Sequence, residues 1–286
     1  MIVEKTRISD GRRLMDAGLL LIGVVTCIAA AAGLPLYGDG ALYFVEILLD
    51  DAPLVPNGRY SAVLPQLPVV MALSATDQPT LLRHAFSFGY ALLPFLSLLA
   101  CWFMVRSTAP WLILYPTLFL VANQINFSAV SELLLGLYLV WPFLLLAALR
   151  PGSGATLLFG AVLAPTLFFL HPLAFVLLLF LGWVGLIVKR SSGAEPRRWD
   201  WLAGAFLILG ASRFIWSAIG SNAYERSHLS LPAAAGYLFP DRPSQTALLL
   251  GVLLVGLAVA ARGWRSQGMD PGPAAGPGAS CRGRWP

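Results

Sequence analysis

The chain has 286 residues, of which 58% are apolar, 12% aromatic and 12% charged, about half the charged share of an ordinary soluble domain. That balance excludes a water-soluble globular fold. The net charge of +5 is spread over short loops between apolar runs, so it orients the protein in a bilayer rather than forming a nucleic-acid-binding face.

A helix needs about 20 apolar residues to cross about 30 Å of hydrocarbon. Runs bounded by charge, Pro or Gly predict an all-α, polytopic transmembrane bundle of eight spans, at 14–36, 84–105, 110–124, 131–149, 155–170, 172–188, 201–219 and 246–261. The third, fifth and eighth are the shortest. Lys5, Arg7, Arg12 and Arg13 precede the first, which contains Ala29, Ala30, Ala31 and Ala32 in a pattern like a signal-peptide cleavage region. Its apolar run exceeds the ~7 to 15 residues of a signal sequence, so it reads as an uncleaved anchor. Residues 1–13 form a cytoplasmic N-terminus, 14–261 the bundle, and 262–286 a Gly/Pro-rich, disordered cytoplasmic tail. Three cysteines, Cys27 and Cys101 in spans and Cys281 in the tail, give no disulfide framework.

Sidedness follows from the basic residues, because each added or missing span inverts every later loop. With eight spans and the N-terminus inside, fourteen of the 19 Lys and Arg residues fall inside. Arg59, Arg83, Arg226 and Arg242 fall outside and Arg213 lies within the seventh span. Both termini are then cytoplasmic, and eight of the 14 acidic residues lie outside. A bacterial cytoplasmic membrane is the expected location.

Two outer loops are long, 37–83 and 220–245. Within the first, DGALYFVEILLDD places Asp39, Glu46 and Asp50 at offsets 0, 7 and 11, on one helical face, with Leu42, Val45 and Leu49 on another. This pattern predicts a short interfacial helix with an acidic side toward an aqueous cleft, or simply a solvated charged face. Next, RYSAVLPQLPVVMALSA is too short to cross and return and is broken by Pro65 and Pro68; it predicts a second interfacial piece carrying Arg59, Tyr60 and Gln66. Arg59 suits either a phosphate, through its planar pair of donors, or a lipid head group. Arg83 and His84 read first as interfacial anchors.

Further along, Asn123, Gln124 and Asn126 end the third span, and Glu132 opens the fourth, where Ser128 or Ser131 would cap the helix and Glu132 would favour its N-terminal dipole. His171 and Pro172 form a tight outer turn, at which an interfacial polar residue is the ordinary reading. Arg213, about two-thirds of the way across its span, is an intramembrane charge and so a functional candidate, with snorkelling as the alternative. Tyr224, Glu225, Arg226 and His228 lie in the second long loop. No nucleotide-binding phosphate loop, H-E-x-x-H zinc motif or G-x-S-x-G elbow occurs. Glu46, Asp50 and Asp51 are oxygen ligands of the kind that hold Mg or Mn, although one acidic helix makes a weak metal signature.

The first outer loop, YGDGALYFVEILLDD followed by RYSAVLPQLPVVMAL, resembles that of the GT-C superfamily of integral-membrane glycosyltransferases, which take sugars from polyprenyl-phosphate carriers outside the cytoplasmic membrane. The resemblance covers roughly residues 14–149. It implies a hexosyl- or pentosyltransferase of the cell envelope, with a polyprenyl-phosphate sugar donor, a glycan, lipid or protein acceptor, surrounding membrane lipids and no nucleic acid. By position Asp39 is similar to the family's catalytic base. Glu46 and Asp50 then become acceptor or metal contacts, Arg59 and Arg213 phosphate contacts, and His171 a further substrate contact. The family's usual Asp-Glu pair is Asp39-Gly40 here, and the chain is shorter than most members, which gives the expectation of a truncated relative. The alternatives are a lipid-linked sugar or small-solute transporter and a non-catalytic member. A transporter would gather its polar residues near the midplane, where only Arg213 falls.

Overall fold

The computed structural model describes residues 2–124, 130–151, 153–192 and 196–220. Two compact units divide the chain, Met1–Ser221 and Asn222–Pro286. The eighth expected span, the tail, and all of the second long loop beyond Gly220 lie outside the described residues.

Among the described residues every regular element is helical. Four helices are long and apolar enough to cross a membrane: Arg12–Ala31, Pro79–Val105, Glu132–Leu149 and Arg198–Gly220. The α-helices in chain order are α1 (Ile2–Ala31), α2 (Asp39–Asp50), α3 (Leu67–Leu73), α4 (Pro79–Val105), α5 (Leu114–Gln124), α6 (Glu132–Leu149), α7 (Gly154–Phe168), α8 (Ala174–Ser192) and α9 (Pro196–Gly220).

The helix boundaries follow local chemistry. The first expected span continued to residue 36, yet α1 stops at Ala31, because Gly33 turns left-handed at φ 76° and Pro35 sits in a separate 3₁₀ turn, Leu34–Leu36. A glycine just past a helix end is the usual terminator, since it enters that region without steric cost. Pro79 occupies the first turn of α4, where its missing N–H removes no helical bond. This start carries the helix five residues beyond the expected 84. The third expected span begins as a 3₁₀ turn, Pro110–Ile113, and only then becomes the 11-residue α5.

Pairwise contacts fix the direction of each helix. The Asp16 carboxylate accepts a hydrogen bond from Trp102 Nε1 at 2.9 Å, while Gly33, at the other end of α1, lies beside Arg83, so α1 and α4 are antiparallel. The hydroxyl of Ser97 in mid-α4 donates to the Tyr138 carbonyl, and Val105 and Leu145 share a core cluster. These contacts make α4 and α6 parallel, so the stretch containing α5 must return the chain to the end of the bundle where α2 lies. Thereafter α7, α8 and α9 alternate in direction.

Three apolar cores hold these elements. Phe143, Leu167, Leu178, Trp199 and Phe206 join α6 through α9. Leu98, Trp102, Val105 and Leu145 join α4 to α6, with α1 contributing Leu19. The stretch between α1 and α4 has a core of its own, in which Ile47 and Val69 pack on Leu82 and Phe86 of α4. Outside the cores, Leu20, Leu21 and Ile28 on α1 and Trp201 and Ile208 on α9 are more than 60% exposed, an arrangement costly in water and favourable against lipid chains.

Candidate functional site

The end of the bundle bearing the stretch between α1 and α4 gathers most of the polar residues singled out above. Gly40 sets the position of α2: a Cβ built there would fall 1.8 Å from the Pro35 carbonyl oxygen and 2.9 Å from Val130 Cγ2. Only a residue without a side chain lets α2 lie this close to its neighbours, so the glycine at position 40 is a packing requirement. The buried side of α2 runs through Gly40, Tyr43, Phe44 and Ile47, and Phe44 meets Phe86 edge-on at 5.5 Å. Leu42, Val45 and Leu49 stay exposed as a separate apolar stripe, while Asp39 and Asp50 are exposed and Glu46 is half-buried.

This packing directs Tyr43 inward. Its hydroxyl donates to Glu132 Oε1 at 2.5 Å, and Arg59 Nη1 lies 3.5 Å from the same oxygen. Glu132 is buried at the first position of α6, where Ser131 Oγ accepts from the Leu134 amide at 3.4 Å. Thus the cap belongs to Ser131, and Glu132 does more than favour a helix dipole: it joins α2 to the Arg59 segment. Burial first, then the charge of Glu132 and its hydrogen bond, raise the Tyr43 pKa, with a smaller contribution from Asp39 one helical turn earlier. Arg59 opposes the shift.

Arg59 is held by the 3₁₀ helix Tyr60–Gln66. Gln66, fully buried, accepts from the Leu54 amide at 2.8 Å and donates to the carbonyls of Leu54 and Ala62, each at 3.0 Å, so its amide closes the loop without an unsatisfied group. The segment packs on α4 at Gly89, where a Cβ would sit 2.0 Å from the Pro65 carbonyl. Its leading end is tied to the α7–α8 turn: the Ser61 amide donates to the Phe169 carbonyl at 3.1 Å and Tyr60 meets the Phe169 ring edge-on at 5.6 Å.

That turn carries His171. Its Nδ1 accepts from the Leu173 amide at 3.1 Å, and its carbonyl accepts from the Ala174 amide at 3.0 Å. From α9, Ser217 donates to the Pro172 carbonyl at 3.2 Å, and the buried Arg213 guanidinium stands 5.8 Å from the Phe168 ring and 5.9 Å from that of Trp216. Burial, reinforced by the positive charges of Arg59 and Arg213, lowers the His171 pKa to about 3.

The structure therefore brings Arg59, Arg213 and His171 into one electrostatic neighbourhood, with Glu132 and Tyr43 attached through Arg59. Asp39 stands at its edge. Among the described residues Glu46 and Asp50 make no hydrogen bond or ion pair with the cluster, and no three His, Cys, Asp or Glu side chains converge to hold a metal ion. Among the described residues the acidic face of α2 thus offers Glu46, Asp50 and Asp51 without a convergent third ligand from another element. Arg83 and His84 meet each other at 3.3 Å on the surface, and among the described residues neither bonds to the cluster. The side chains of Asn123 and Gln124, together with residues Asn126, Ser128, Tyr224, Glu225, Arg226 and His228, lie outside the described residues.

No family model, curated protein or solved structure matches the chain.

Proposed function

We propose that the chain is an integral-membrane glycosyltransferase of the GT-C type, transferring a sugar from a polyprenyl-phosphate carrier to a glycan, lipid or protein acceptor at the outer face of a bacterial cytoplasmic membrane. The observation that carries this reading is the convergence of Arg59 and Arg213, from distant parts of the chain, on the turn bearing His171. Two guanidiniums at one end of an apolar bundle suit a phosphate whose lipid tail remains in the bilayer.

In the reaction, the acceptor hydroxyl gives its proton to the Asp39 carboxylate as its oxygen attacks the anomeric carbon of the sugar. The bond from that carbon to the phosphate oxygen breaks, and the electron pair departs with the polyprenyl phosphate. Arg59 and Arg213 stabilise this developing charge. Glu132 holds Arg59 in place, and Tyr43 holds Glu132. A single displacement inverts the anomeric centre.

The same reading places α5, α7 and α8 as crossing segments although they are shorter than the four long helices. The return of the chain between α4 and α6 and the alternating directions of α7 and α8 support this. The test is sugar transfer by the purified chain in lipid, from a panel of polyprenyl-phosphate sugars, comparing wild type with Arg213→Gln. The reading expects transfer by wild type and a donor KM raised at least about tenfold in the variant, for loss of a charge-assisted contact. No transfer by folded wild-type protein, with a control enzyme active on the panel, would favour a transporter or a non-catalytic member.

A further inference from the structure

His171 has a definite chemical state set by its surroundings. The Leu173 amide is an obligatory donor, so Nδ1, which receives it at 3.1 Å, carries a lone pair and no proton. A neutral ring in this tautomer keeps its hydrogen on Nε2. The turn is fixed on both sides, by Ser61 against Phe169 and by Ser217 against Pro172, so this orientation does not depend on a ligand.

We infer that His171 is a fixed, neutral Nε2–H donor to an anionic phosphate oxygen, completing the Arg59 and Arg213 site without adding charge and without acting as a base. This inference rests on the phosphate-binding reading of that site. Among the described residues the charged groups acting on the ring are Arg59 from the outer loop and Arg213 from α9, both positive, and Glu132 from α6 reaches Arg59. Burial first, and then the two guanidiniums, oppose protonation of the imidazole, so it stays neutral well into the acidic range. A phosphate oxygen only accepts hydrogen bonds, which matches a neutral N–H. With Nδ1 occupied and Nε2 protonated, His171 has no lone pair for a substrate proton, which leaves that role to Asp39.

The test uses the full chain, ¹⁵N-labelled at its three histidines, in lipid nanodiscs, with the His171 signals assigned by loss in His171→Gln. The expected spectrum shows protonated Nε2 and bare Nδ1 at His171 from pH 8 to pH 5. Farnesyl phosphate is expected to shift the Nε2–H proton downfield; inorganic phosphate at the same concentration distinguishes a free anion from a lipid-borne one. A shift with either probe supports the donor role, and a shift with neither overturns it. An imidazolium at pH 6, or a proton on Nδ1, would also overturn it. Affinity for the probe that binds should fall roughly tenfold in His171→Ala, the usual loss for one hydrogen bond to a charged group, and recover in His171→Gln, whose amide still donates. Unchanged affinity in His171→Ala would contradict the inference. A neutral, phosphate-responsive His171 in a chain that transfers no sugar would leave this inference standing and remove the glycosyltransferase reading.

Discussion

Replacing Glu132 by Gln keeps an acceptor for Tyr43 but removes the carboxylate that Arg59 Nη1 meets at 3.5 Å in a largely buried setting. Breaking a pair of this kind costs about 3 kcal/mol, and the expected outcome is a clear loss of thermal stability in detergent, with Tyr43→Phe losing about 1 kcal/mol. Melting curves of both variants check this; an unchanged Glu132→Gln would show that the pair carries no weight. His171 predicts a pH dependence. Its pKa is about 3 when folded and ~6.5 when unfolded, so between these values the unfolded chain binds more protons. Stability is then full above pH 6.5 and falls as the medium is acidified toward 3, by at most about 1.4 kcal/mol per pH unit. His171→Gln is expected to flatten that slope, which denaturation at pH 7 and pH 5 would measure. Arg213, Arg59 and His171 were legible as candidates because a charge within or beside an apolar run stands out. Tyr43 with Glu132 was not, since an interfacial tyrosine and an acidic helix start each have an ordinary reading, and 89 residues separate the partners.

At the scale of elements, close backbone approach makes the strongest claims. Alanine at position 40 or 89 would place a methyl within 2.0 Å of a carbonyl oxygen, so each substitution must displace an element, at a cost of about 1 to 3 kcal/mol. Gly18→Ala, with open space around it in α1, is the control and is expected to be tolerated. Comparing the three melting temperatures tests whether α2 and the 3₁₀ helix are seated as described. The short helices between α1 and α4 were legible from Pro65, Pro68 and the acidic spacing of α2. Helix ends were less so: hydropathy missed the first turn of α4 because Arg83 and His84 interrupt the apolar run, and it read through Gly33, whose left-handed turn leaves no trace in an apolar average.

Across the whole molecule, contacts at one end of the bundle require the chain to return between α4 and α6, and again through α7 and α9. The side of Arg150 discriminates the topologies. If α5 crosses, residue 150 faces the cytoplasm with residue 106; if only the four long helices cross, it faces outward. Single cysteines at Asp77, Arg106 and Arg150 in a cysteine-free background, probed with an impermeant thiol reagent on intact cells, should label from outside at 77 alone. Apolar runs bounded by charge, Pro and Gly made the long helices legible in the sequence, whereas the joining of distant polar residues into one cluster depends on packing that no local pattern encodes. The most direct test of the central claim compares wild-type protein with Asp39→Asn in a lipid-reconstituted assay of sugar transfer from polyprenyl-phosphate donors. Transfer by wild type and its loss in a variant that still folds and inserts is the predicted result; equal turnover by the two would contradict the assignment of Asp39 as the base.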